Sequence, residues 1–205
     1  TSTMKLVIMT KSTFFVEENI ILSALFDEGM TNLHLFKPGA TQLYTERLLT
    51  LLPEEHYKKI TLHDQYYLKD EYGLAGIHID NPMEDIPNGY KGNVSRTCCD
   101  LSSLKMMKKK SKYVFLKNIH DCIEFKKEKQ TFNNMQLMEA SRSGLIDKHV
   151  YALGGMSIDN IKAAKDLGFG GVVICGDLWC RFNIHNQMDF KDLISHFKKL
   201  RYAAD

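Results

Sequence analysis

Two apolar runs late in the chain stop at glycine: Val150-Tyr-Ala-Leu-Gly-Gly-Met-Ser and Gly171-Val-Val-Ile-Cys-Gly-Asp. Glycine has no Cβ, so backbone N–H groups at such turns can close on an anion. Gly154, Gly155, Cys175 and Gly176 are therefore candidate phosphate contacts, although tight turns alone would also account for these glycines. Other apolar runs end in groups that hold charge or move protons: His34 and Lys37, His63 and Asp64, His78 and Asp80, Ser95 and Arg96, and Lys117, Asn118, His120 and Asp121. Imidazole titrates near neutrality and suits proton transfer. A carboxylate such as Asp64 can hold magnesium beside phosphate oxygens, or equally cap the helix that follows it.

These groups meet only if the runs are parallel strands ending at one edge. Apolar runs and their caps predict strands at Lys5–Met9, Asn32–Phe36, Ile60–Leu62, Gly76–Ile79, Asn93–Ser95, Tyr113–Leu116, Val150–Leu153 and Gly171–Ile174. Helical periodicity lies between them at Glu17–Glu28, Thr41–Leu52, Gln65–Glu71, Leu101–Lys110, Thr131–Ser143, Ser157–Leu167 and Phe190–Tyr202. After the fourth strand comes only the polar, proline-containing stretch Asn81–Gly92, so a fourth helix is expected to be short or missing. The alternation predicts an α/β chain of one domain, residues 4–205, folded as a (β/α)8 TIM barrel, whose active site is built from strand C-terminal ends and the loops after them. An open doubly wound sheet is the alternative, but Met9-Thr10-Lys11-Ser12 lacks the glycines its first crevice would need.

With 205 residues, 44% of them hydrophobic and 10% aromatic, the chain can bury a proper core. Twenty-seven basic against 25 acidic side chains argue against nucleic acid as the main partner, and the run Met107-Lys-Lys-Lys-Ser-Lys reads as the solvated end of a helix. No membrane-length apolar stretch or signal peptide is evident, so a cytoplasmic protein is expected. Five cysteines without metal-ligand spacing fit a reducing compartment. Thr1-Ser2-Thr3 reads as an expression remnant ahead of Met4. Trp179 is expected to pack, and His34 and His78 to fill barrel layers or hydrogen-bond their neighbours.

The ordered series His34-Leu-Phe-Lys-Pro, Leu62-His-Asp, Gly76-Ile-His-Ile, Val94-Ser, Tyr113-Val-Phe-Leu, Ala152-Leu-Gly-Gly-Met-Ser and Gly171-Val-Val-Ile resembles thiamine phosphate synthase and its relative TenI over nearly the whole chain. The resemblance implies a barrel transferase of thiamine biosynthesis that joins hydroxymethylpyrimidine diphosphate to thiazole phosphate and releases pyrophosphate with Mg2+. Its implied partners are these small phosphorylated substrates, and a homodimer stays open. Asp64 then corresponds to the metal ligand, Ser95 to a diphosphate contact, Gly154-Gly155 and Cys175-Gly176 to the thiazole phosphate cradle, and Lys37 and Lys126 to catalytic cations. His34, His63, Asn118 and His120 complete the implied substrate contacts. Three positions depart from the pattern: Phe36 replaces an arginine, Met83 falls where a second metal-binding aspartate is expected with Asp80, Glu84 and Asp85 as substitutes, and Phe125 stands near a loop lysine that Lys126 or Lys127 could replace. Weak turnover is therefore expected. A thiazole tautomerase using a histidine near Asn118 and His120, or a non-catalytic phosphate-binding regulatory barrel, are the alternatives.

Overall fold

All eight apolar runs become strands: β1 Lys5–Met9, β2 Leu33–Leu35, β3 Ile60–Leu62, β4 Gly76–Ile79, β5 Asn93–Cys98, β6 Val114–Lys117, β7 Val150–Leu153 and β8 Gly171–Ile174. This is a computed structural model describing residues 3–184 and 186–205, so Thr1 and Ser2, expected above to be an expression remnant, lie outside the described residues. The strands pair in parallel in sequence order, and β8 returns to β1, which closes the barrel. Neighbouring strand ends thereby meet around one rim.

The helices are α1 Glu18–Asp27, α2 Gln42–Leu51, α3 Leu68–Tyr72, α4 Leu104–Lys109, α5 Asn134–Arg142, α6 Ile161–Asp166, α7 Gly176–Trp179 and α8 Gln187–Ala204. Their apolar stripes face the strands, as Ile21, Leu22, Leu25 and Phe26 do on α1. At α5 the Asn133 side chain accepts from Gln136 N–H and the Gln136 side chain accepts from Asn133 N–H, a capping box that fixes the helix start. No helix follows β4, as the polar stretch there predicts. Tyr66 and Tyr90 instead cover the outer face formed by Ile77, Ile79 and Val94. Periodicity did not indicate α7, whose single turn is too short to show it.

The core has two shells. Val7, Met9, Tyr113, Phe115, Tyr151 and Val173 fill the barrel interior. A larger shell lies between strands and helices, and Trp179 belongs to it, with its indole N–H donating to the Met9 carbonyl at 2.8 Å. No helix is long and apolar enough to cross a membrane among the described residues.

Candidate active site

Strand alternation decides which side chains reach the barrel mouth. A cavity of about 560 Å³ opens there, and every strand contributes to it. Lys11 and Phe36 lie beyond β1 and at the end of β2, Asp64 follows β3, and Asp80 follows β4. Thr97, Lys117 and Asn118 come from β5 and β6, while Gly154, Gly155, Cys175 and Gly176 follow β7 and β8.

Of the residues expected from sequence, Asp64, Asp80, Lys117, Asn118, Gly154, Gly155, Cys175 and Gly176 line this mouth, whereas His34, Lys37, His63, Ser95, His120 and Lys126 do not. Lys37 requires the clearest correction. It points outward from β2, only 2% exposed, and its ammonium donates to Glu18 Oε2 at 2.6 Å and to the carbonyls of Lys11 and Thr13 at 2.7 and 2.9 Å. With its three donors used, it clasps the β1–α1 connection instead of meeting a leaving group. Burial raises the Glu18 pKa and lowers that of Lys37, while their mutual attraction opposes both shifts.

Ser95 is corrected too: it sits below the mouth, fully engaged with His78 Nδ1 at 2.7 Å, and Thr97 two residues later reaches the cavity. Lys126 is exposed on the loop after β6 and does not line the cavity; Phe125 beside it does. His120 packs its Cβ toward Gly155. Among the described residues no histidine lines the mouth.

His34 and His63 form part of an internal chain. An ionised carboxylate only accepts, so His63 Nδ1–H donates to Asp80 at 2.9 Å; His63 Nε2 then accepts from His34 Nδ1–H at 2.8 Å, and His34 Nε2 accepts from the Tyr113 hydroxyl at 2.6 Å. Burial holds the pKa values of His34 and His78 well below the usual imidazole range, which keeps both rings neutral. The donor atoms of His34, His63 and His78 lie within 4.8 Å of one another. The rings of His63 and His78 nonetheless stack at 4.3 Å with 20° between planes, so their lone pairs run side by side instead of converging on one ion. The geometry makes this cluster a positioning device for Asp80.

Asp80 and Asp64 share the acidic side of the mouth. Partial burial, followed by the Asp80 carboxylate and then Glu84, raises the Asp64 pKa against the pull of His63. Two neighbouring carboxylates at one rim are a suitable donor set for a hard cation, and their oxygens match the preference of magnesium. No hydrogen bond caps α3 through Asp64.

The glycine turns have a local cause as well as an open face. Gly154 and Gly155 have φ of 103° and 63°. A Cβ on Gly154 would meet Asn118 Oδ1, and one on Gly155 the Asp121 carbonyl. The Asn118 Oδ1 atom is buried without a hydrogen-bond partner among the described residues. Across the mouth, the Gly176 N–H donates to Glu124 Oε1. Lys11, Thr97 and Glu124 were missed from sequence. Extending the alternation of β1 and β5 by one step would have found the first two, but Glu124 lies in a loop with no periodicity.

Among solved structures, the chain is similar to thiamine phosphate pyrophosphorylase from Bacteroides thetaiotaomicron, with 42% identity, 98% of each chain covered and a TM-score of 0.89. A thiamine phosphate pyrophosphorylase from Pyrococcus furiosus shares the fold at 15% identity, covering 98% of this chain and 95% of its own, with a TM-score of 0.74. So does 3-hexulose-6-phosphate synthase, at 15% identity, 98% and 99% coverage and a TM-score of 0.62. No family model and no curated protein matches the chain.

Proposed function

The chain belongs to the thiamine phosphate pyrophosphorylase family, and from that membership we propose that its barrel mouth joins hydroxymethylpyrimidine diphosphate to thiazole phosphate, releasing pyrophosphate. The observation that carries this reading is one cavity with carboxylates on one side and glycine-lined backbone on the other. Five free thiols are consistent with work in the cytoplasm.

In the proposed reaction the C–O bond between the pyrimidine methylene and the diphosphate breaks, and the electron pair leaves with pyrophosphate. The thiazole nitrogen lone pair forms the new C–N bond, leaving the positive charge on the thiazolium. No proton need move, so catalysis rests on placing the partners and neutralising the leaving group. Lys11 and Lys117 are the cations that line the mouth. Lys117 is held by Glu128 at 3.3 Å. Asp64 and Asp80 would hold magnesium, which when bound supplies positive charge to the diphosphate. His63 orients Asp80 from behind. The Asn118 side chain and the backbone of Gly154 and Gly155 would receive the thiazole phosphate.

Phe36 and Glu124 favour a second reading, a barrel that binds phosphorylated ligands without turnover, because they put an aromatic ring and a carboxylate into the same mouth. Incubation with both substrates and magnesium separates the two. Thiamine phosphate is the expected product. Its absence, with the thiazole phosphate still bound, would support the binding protein and overturn the synthase.

A further inference from the structure

We propose that the foot of the barrel, at the end opposite the mouth, is a second binding site for a small anion carrying at least two phosphate groups. A cavity of about 380 Å³ opens there, lined by residues at the N-terminal ends of seven strands. Lys5, Lys58, Lys59, Lys112 and Lys148 surround it, and no aspartate or glutamate is among its lining residues. The whole chain carries only two more basic than acidic side chains, so this concentration is local. None of the five lysines has an ion-pair partner among the described residues, whereas Lys37, Lys69, Lys108, Lys117, Lys129, Lys162 and Lys198 all do. Uncompensated ammonium groups around one concavity repel one another, and a polyanion relieves that repulsion.

The floor is made for the same ligand. Tyr151 lines the cavity, stacked on Tyr113 at 4.5 Å. The Tyr113 hydroxyl is committed to His34, while the Tyr151 hydroxyl has no hydrogen bond among the described residues. Burial pushes the Tyr151 pKa up to about 12, so it remains a neutral donor at the bottom of a cationic ring. A rounded concavity of this size takes a compact polyphosphate; an extended nucleic acid would need a groove that follows its backbone.

The test is titration of the intact chain with inorganic tripolyphosphate in magnesium-free buffer containing EDTA, followed by calorimetry and amide chemical shifts. Saturable binding is expected, weakening as salt rises, with shifts at Lys5, Lys112 and Lys148. Lys58→Glu with Lys112→Glu reverses two exposed charges and should weaken binding at least about tenfold, and Tyr151→Phe should weaken it by a smaller factor. Lys117→Ala at the mouth should leave it unchanged, which keeps the result separate from the synthase reading. Equal affinity in the double variant, shifts confined to the 154–156 and 175–177 turns, or tight binding of a single-stranded oligonucleotide without saturable tripolyphosphate binding would each overturn the proposal.

Discussion

The Glu124 carboxylate accepts the backbone N–H of Gly176, one of the donors that a phosphate at the mouth would use. Its other oxygen accepts the Cys122 thiol at 2.7 Å, and burial together with that bond pushes Cys122 up to about 11, so the thiol remains a donor. Glu124 thus sets a carboxylate on the turn proposed to hold phosphate, and a phosphate bound there must displace it or lie beside it. Glu124→Gln should tighten inorganic phosphate or thiazole phosphate binding at least about tenfold, since one unit charge some 4 Å away is worth about 4 kcal/mol in a partly screened site. Calorimetry that shows unchanged or weaker binding would mean that Glu124 does not compete for the turn.

Asp64 and Asp80 should bind magnesium weakly without a diphosphate, because this hydrated ion keeps several waters and needs phosphate oxygens to complete its shell. Calorimetry of the protein alone should show little heat, and added pyrophosphate should reveal coupled uptake. Asp64→Asn should abolish that coupling. His63→Asn should weaken it about 10–100-fold through the loss of orientation at Asp80.

Phe36 faces His63 edge-on at 5.4 Å and lines the mouth. Phe36→Arg would put a bidentate donor there, and restoring one charge-assisted contact to a leaving group should raise kcat by about 10²–10³. Steady-state assay of thiamine phosphate formation checks this. A wild-type rate near 10 s⁻¹ with no gain in the variant would show that Lys11 and Lys117 already suffice.

Removing Lys37 should damage the fold while sparing the chemistry. Lys37→Met leaves Glu18 buried and unpaired, which costs about 3–5 kcal/mol, and adding Glu18→Gln should recover much of it. Urea unfolding measures both variants. A Lys37→Met protein of normal stability with lost turnover would return this lysine to the catalytic machinery.

Acid should destabilise the barrel through its neutral histidines. His34 and His78 have folded pKa values well below the ordinary 6.5, chiefly through burial, so below that pH the unfolded chain binds protons the folded chain refuses. Their stabilisation is complete above about pH 6.5 and falls as pH drops through the folded values, with a slope of up to about 1.4 kcal/mol per pH unit for each ring. Unfolding free energies measured from pH 7.5 to 5 should show this slope, and His78→Gln should reduce it by about half.

The period-2 and helical patterns of the sequence were sufficient to specify eight strands in order, the missing helix after β4 and the glycine turns after β7 and β8, because apolar periodicity reports directly which backbone must be buried. The single chain order also fixed which strand ends share a rim, which is why Asp64, Asn118 and the four turn residues were legible as a group. Alternation within β2 and β5 was the weaker point. A one-residue change of face moved Lys37 out of the mouth to Glu18, and one layer of depth put Ser95 beneath Thr97. The partner of each polar group lies far along the chain: Glu18 is 19 residues from Lys37, His63 is 29 from His34, and Glu124 is 52 from Gly176. Such pairs are set by closure of the barrel and by the path of the loop after β6, where no local periodicity operates. Only the tertiary structure could decide that the histidines form a chain behind Asp80, that a carboxylate rests on the Gly176 turn, and that five lysines scattered from residue 5 to 148 surround one cavity.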